Sequence, residues 1–198
     1  MGSLLRNNTV MVWLVVALSA FGLSAHAAEE QMNGLDLIDG YYPSYPATNK
    51  PATPEVQKQI ERGEYLAKIG DCISCHTNVK AGTPAYAGGL PLATPFGTFY
   101  SLNITPDKKT GIGNWTEQDF ITALKKGRSP QGSNYFPVFP YLYFSKVTDD
   151  DARALYTYLM SLPPVEQVNK SPPFPFNMPG ARASLWGWNL LYFYSAPD

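Results

Sequence analysis

The chain has 198 residues, with 15 Lys plus Arg set against 16 Asp plus Glu for a formal net charge of −1. That near-balance lacks the basic footprint of a nucleic-acid binder, and the length suits one domain with extensions rather than two full domains. The two cysteines, Cys72 and Cys75, stand within four residues of each other and cannot staple distant parts of a fold.

The N-terminus reads as an export signal. Arg6 supplies a positive start, residues 10–23 are almost entirely apolar, and Ala25-His26-Ala27 has the small-x-small form of a signal-peptidase site. An apolar run of about 14 to 16 residues is shorter than the roughly 20 a helix needs to span a bilayer, so cleavage after Ala27 is expected, with a periplasmic destination. Losing Arg6 leaves 14 Lys plus Arg against 16 acids and leaves His76 as the one remaining histidine.

Residues 28–53, rich in Tyr, Pro, Asn and Gly without an apolar period, read as an extended arm. A helix is expected over residues 54–69: Thr53 is an N-cap candidate, Pro54 suits the first helical position, and Val56, Ile60, Leu66 and Ala67 recur near helical spacing. Gly63 in its middle costs about 1 kcal/mol relative to Ala and suggests close helix packing at that point. Residues 80–113, dense in Gly, Pro and Thr, read as loops wrapped around a filler other than regular structure.

A second helix is expected to follow Thr116-Glu117-Gln118-Asp119 and to stop at Gly127, with Phe120, Ile121 and Leu124 as its apolar face. A third is expected over residues 149–161. Thr148 caps it, Asp149, Asp150 and Asp151 complement its dipole, and Leu155, Tyr158, Leu159 and Leu162 form its buried stripe before Pro163-Pro164. Residues 165–198 combine prolines with Phe174, Phe176, Trp186, Trp188, Tyr192, Phe193 and Tyr194, which is too aromatic for a solvated linker. Two readings of the stretch 174–194 follow: a docking surface for a dehydrogenase or a membrane, dispensable to the domain before it, or a segment that packs across that domain to cover its apolar surface.

The chemistry lies in Cys72-Ile73-Ser74-Cys75-His76. Two thiols three positions apart match the separation of the two vinyl groups of haem, so each can add across one of them, and the next residue, His76, is placed as the proximal iron ligand. A zinc site needs about four protein ligands, or three and an open position, more than two Cys and one His supply. A thioredoxin-like pair belongs after a strand in a βαβ unit, whereas this motif follows a helix. One covalent haem c on Cys72, Cys75 and His76 is therefore expected, with His76 on the metal.

Around this motif, Arg62-Gly63-Glu64-Tyr65-Leu66, Gly88-Gly89-Leu90-Pro91-Leu92, Thr94-Pro95-Phe96-Gly97-Thr98, Asn103-Ile104-Thr105-Pro106-Asp107, Gly111-Ile112-Gly113 and the stretch from Thr148 to Leu159 resemble a single haem domain of the cytochrome c subunits of membrane-bound alcohol, gluconate and fructose dehydrogenases. The resemblance covers residues 61–164. It implies an all-α, class I cytochrome c-like fold, divided as signal peptide 1–27, arm 28–53, haem domain 54–164 and Pro/aromatic-rich tail 165–198. It further implies an electron carrier or electron-transfer subunit rather than an enzyme. The donor would be a periplasmic dehydrogenase and the acceptor a respiratory oxidase or another cytochrome, with peripheral membrane association as a further expectation and no nucleic-acid partner.

One position departs from the family pattern. Where the family places an axial methionine in Pro-x-Met-Pro-Tyr, this chain has Pro137-Val138-Phe139-Pro140-Tyr141, and Phe139 cannot ligate iron. Met160 and Met178 are the remaining candidates for the sixth ligand. An open iron position would instead suit a five-coordinate haem protein binding NO, CO or peroxide, although Arg128 is the one cation near the loop and no second histidine stands ready as an acid or base. Asn103 and Thr105 suit either a haem propionate or the loop backbone, and Lys125 and Lys126 suit either an acidic partner or an ordinary helix end.

Overall fold

The computed structural model describes residues 44–48, 52–178 and 180–193; the expected leader and most of the expected arm lie outside the described residues. Six α-helices and one short hairpin form among them. Helix α1, Pro54–Ile69, starts where Thr53 Oγ1 accepts the Val56 N–H at 3.4 Å and stops at Gly70. Its buried positions are Ile60, Gly63 and Ala67, spaced three and four apart to form one stripe. Val56, expected on that stripe, is 39% exposed because it lies in the first turn, ahead of the contact with the partner helix.

That partner is α5, Asp149–Ser161. Leu155, Tyr158, Leu159 and Leu162 are all buried, as the sequence stripe requires. The two helices meet at Gly63, where a Cβ would overlap the Ala154 carbonyl oxygen and come within 2.7 Å of Tyr158 Cβ. The glycine that weakens α1 as an isolated helix is thus what lets the two backbones approach. Helix α3, Glu117–Lys126, adds Phe120, Ile121 and Leu124 to the same core. Its N-terminus is a full capping box: Thr116 Oγ1 accepts the Asp119 N–H at 3.1 Å, and Asp119 Oδ2 accepts the Thr116 N–H at 2.9 Å.

Between these helices lie α2, Cys72–Cys75, and α4, Tyr141–Phe144. The stretch expected to be all loop contains an antiparallel hairpin, β1 Pro91–Thr94 with β2 Gly97–Tyr100, in the register Leu92↔Phe99 and Thr94↔Gly97. Four-residue strands bracketed by prolines give too little alternation to register as strands. The two-residue Pro95-Phe96 link is closed by Thr94 Oγ1, which accepts the Phe96 N–H at 3.1 Å and donates to the Gly97 carbonyl at 2.7 Å.

The C-terminal segment holds a helix that the sequence did not signal, α6, Ser184–Tyr192, preceded by a 3₁₀ turn over Ala181–Ala183. It lacks a side-chain cap and is apolar on more than one face, so no amphipathic period marks it. Leu185 is buried in a second, smaller core with Phe99 and Phe136, against which Phe176, Leu92 and Val138 pack. Tyr141 Oη donates to Asn189 Oδ1 at 2.7 Å. The docking expectation is therefore corrected for Phe176, Leu185 and Asn189, which pack within the chain; Trp186, Leu190, Leu191 and Tyr192 are exposed. Among the described residues no helix is long and apolar enough to cross a membrane.

Candidate haem site

A left-handed turn at Asp71, φ 51°, reverses the chain out of α1 so that α2 begins at once with Cys72. Asp71 Oδ1 accepts the Ser74 hydroxyl at 2.5 Å and ties the turn to the motif. The single turn carries both cysteines immediately before His76. Cys72 is half-buried against the main core, Cys75 is exposed, and neither is in a disulfide. Burial, reinforced by the Asp71 carboxylate, pushes the Cys72 thiol up to about 11, and burial also raises Cys75. Both are therefore thiols rather than thiolates at neutral pH.

His76 follows directly and lines a cavity of about 210 Å³. Its Nδ1 lies 2.7 Å from the Leu102 carbonyl oxygen. A carbonyl only accepts, so Nδ1 carries the proton and Nε2 keeps its lone pair. Burial lowers the imidazole below its ordinary value, which also favours the neutral form, while the Leu102 hydrogen bond opposes the shift without reversing it. A neutral histidine whose second nitrogen donates to a backbone carbonyl is the form that ligates metals.

Gly88 makes this contact possible. It sits at φ +76°, donates its N–H to the His76 carbonyl at 2.7 Å, and a Cβ there would come within 2.5 Å of the Leu102 carbonyl carbon. Gly89 N–H to Ser101 O at 2.9 Å and Ile104 N–H to Tyr86 O at 3.0 Å continue the pairing on either side. Gly88 thus lets the Leu102 carbonyl approach His76 and set its tautomer.

The cavity separates the two cores. Ile112, Trp115, Phe120 and Leu124 line it from the main core, and Leu92, Phe99, Phe136 and Val138 line it from the smaller one. The wall is mostly apolar, flat aromatic and aliphatic surface with polar groups at the rim, which fits a porphyrin. With a neutral, oriented imidazole in its wall and two thiols on the helical turn that directly precedes it in the chain, the donor set fits haem c. Among the described residues no group of three or more His, Cys, Asp or Glu gathers as a metal cluster would need.

Phe139 lines the cavity as well, half-buried, its ring centroid 6.0 Å from those of Tyr135 and Phe144. Neither methionine candidate does. Met160 packs on the main core away from the cavity, and Met178 lies 52% exposed on a separate surface cleft. Asn103 lines the cavity but spends its side chain on the chain itself. Its amide donates to Thr110 Oγ1 at 3.0 Å and to the Val165 carbonyl at 2.8 Å, while its Oδ1 accepts from Thr105 N–H at 2.9 Å. Thr105 Oγ1 in turn accepts the Val165 N–H at 3.1 Å. Both residues serve the loop backbone, one of the two roles their type allows.

Lys125, 15% exposed, pairs with Asp149 at 2.5 Å and joins the end of α3 to the start of α5, so it has an internal role. Arg128 is exposed and outside the cavity. The cations on the cavity wall are instead Lys170 and Arg182, which sequence reasoning missed because both lie in the tail, where nothing in the local pattern points back to the motif.

Comparison with known proteins bears on this geometry directly. Residues 60–163 match the family model for cytochrome c. The gluconate 2-dehydrogenase cytochrome c subunit of Pantoea cypripedii is 50% identical over 142 residues, covering 70% of this chain and 30% of the relative. The cytochrome c subunit of the quinone alcohol dehydrogenase of Gluconobacter oxydans is 46% identical over 136 residues, covering 67% and 27%. A diheme cytochrome c-type protein of Cereibacter sphaeroides is 41% identical over 138 residues, covering 67% and 46%. The chain thus spans less than half the length of these relatives, and their names do not support the alternative of a five-coordinate haem protein binding NO, CO or peroxide. The neutral imidazole, the paired thiols and the apolar cleft, together with a match over more than half of its length, show that this chain belongs to the cytochrome c family, helical proteins whose work is electron transfer.

Proposed function

We propose that this chain holds one haem c, bound covalently through Cys72 and Cys75 and ligated by His76, and that it relays single electrons from a periplasmic dehydrogenase to a respiratory oxidase or another cytochrome. The observation that carries the reading is the 2.7 Å contact of His76 Nδ1 with Leu102 O beside the two thiols. When bound, haem supplies a one-electron Fe(III)/Fe(II) couple. The protein's part is to position and insulate. Cys72 and Cys75 would hold the haem through thioether bonds to its two vinyl groups.

His76 presents an unprotonated Nε2, and Phe120, Leu124, Phe136 and Phe139 exclude water from the cavity, which steadies the potential. The dehydrogenase as donor rests on the names of the relatives, export to the periplasm on residues 1–27, and association with a membrane surface on the exposed Trp186, Leu190, Leu191 and Tyr192. They accord with a small carrier that works beside a larger catalytic subunit. A potentiometric titration followed by visible absorption tests the function: a single one-electron transition is expected, with rapid reduction by a sugar or alcohol dehydrogenase. Two transitions, or no reduction by any such enzyme, would count against it.

A further inference from the structure

We propose that Lys170 and Arg182, both from the C-terminal segment, form an anion clamp at the cavity rim that holds the two propionate carboxylates of haem; this rests on the cavity being the haem site. Among the described residues they are the only Lys or Arg side chains on the cavity wall, and no Asp or Glu lines it. Among the described residues neither cation has a carboxylate partner, whereas the other cations with interactions across the surface pair with acids, as Lys109 does with Glu166 at 3.1 Å. Each rests on an aromatic face instead. Lys170 Nζ lies 4.5 Å from the Tyr100 centroid, and Arg182 Cζ lies 5.5 Å from that of Phe136. Stacking holds the side chain in place while leaving its N–H donors free.

The backbone brings both residues there deliberately. Asn169 accepts the Asn103 N–H at 2.8 Å and donates to the Thr110 carbonyl at 2.7 Å, which fixes the chain one residue before Lys170. Arg182 sits in the 3₁₀ turn that leads into α6, anchored by buried Leu185. The location matches the ligand's chemistry. The vinyl-bearing and carboxylate-bearing edges of haem are opposite one another. Cys72 packs into the main core, and Arg182 stacks on the smaller one across the cavity. A haem bonded at the motif would leave its carboxylates for the two cations that line the cavity with His76, and Arg182 could grip one in a forked pair. Both cations lie outside residues 60–163, so the family match does not include them.

The test uses the full-length protein matured with haem. Lys170→Gln, Arg182→Gln and the double variant are compared with Lys170→Arg, Arg182→Lys and the surface variant Lys109→Gln. The midpoint potential and the propionate bending mode in resonance Raman are the readouts. Removing a cation beside the cofactor disfavours the added electron, so each Gln variant is expected to lower the potential and shift the mode, the double variant more so. The charge-keeping variants and Lys109→Gln are expected to resemble the wild type. If the Gln variants fail to mature while the charge-keeping ones do, the clamp is supported. An unchanged mode and potential in the double variant, or failure of all four single clamp variants to mature, would overturn it. Wild-type protein lacking covalent haem would sink the haem reading itself, and the clamp with it.

Discussion

His76 and Leu102 are 26 residues apart, yet His76 Nδ1 and the Leu102 carbonyl oxygen meet at 2.7 Å, a contact that depends on glycine at position 88. Gly88→Ala adds a Cβ against Leu102 at a positive φ. It is expected to destabilise the fold by about 1–3 kcal/mol and to perturb the His76 ligand field. Denaturant titration and the low-temperature electron paramagnetic spectrum of the matured protein measure the two effects; wild-type values for both would separate Gly88 from the site.

Gly63→Ala is a sharper test of packing. Helix propensity alone favours Ala by about 1 kcal/mol, but the added methyl would enter the Ala154 backbone. Overpacking of this kind costs about 1–3 kcal/mol, so the net effect is expected to be a lower Tm. A raised Tm would mean that α1 and α5 are not in close contact.

Phe139 occupies the loop position of the missing methionine and lines the cavity. Phe139→Met is expected to raise the reduction potential, since thioether ligation favours ferrous iron, and to add a sulfur-to-iron band toward the red end of the visible spectrum. If neither changes, the side chain at 139 does not reach the iron.

Acid should weaken the fold through its hydrogen-bonded and ion-paired carboxylates. Hydrogen bonds from Thr110 hold the Asp107 carboxyl below its ordinary value, those from Thr116 do the same for Asp119, and Lys125 lowers Asp149. A carboxylate depressed in the folded state stabilises above its unfolded value of about 3.9 and loses that contribution as pH falls toward and through the folded one. Tm should therefore drop below about pH 4, and less steeply in Asp107→Asn. Equal slopes in both proteins would contradict this.

The tail was legible only in composition. Its aromatic content told correctly that it could not be a solvated linker, yet which rings turn inward depends on Phe99 and Phe136, far upstream in the sequence, and no local period records that. Ending the chain after Val165 removes Phe176 and Leu185 from the smaller core and Asn169 from Asn103. Such a protein is expected to lose stability and to bind haem poorly, contrary to the expectation of a dispensable tail. Full maturation of the truncated protein would restore that expectation.

The helices were the most legible part because capping residues and apolar stripes are local signals. Thr53, Thr116 and Thr148 each cap the helix they were expected to cap. The haem motif was legible because three residues at fixed spacing carry the covalent and ligating chemistry together. What stayed hidden was the company of His76: Gly88 and Leu102 bond to it from either side of the hairpin, and Lys170 and Arg182 of the tail line the same cavity.

The most direct test of the central claim is the mass and haem content of the denatured protein. Wild-type protein is expected to retain one haem after unfolding, with a haemochrome spectrum of two thioethers, and Cys72→Ala/Cys75→Ala to retain none. Wild-type protein without covalent haem, or the double variant with it, would contradict the account.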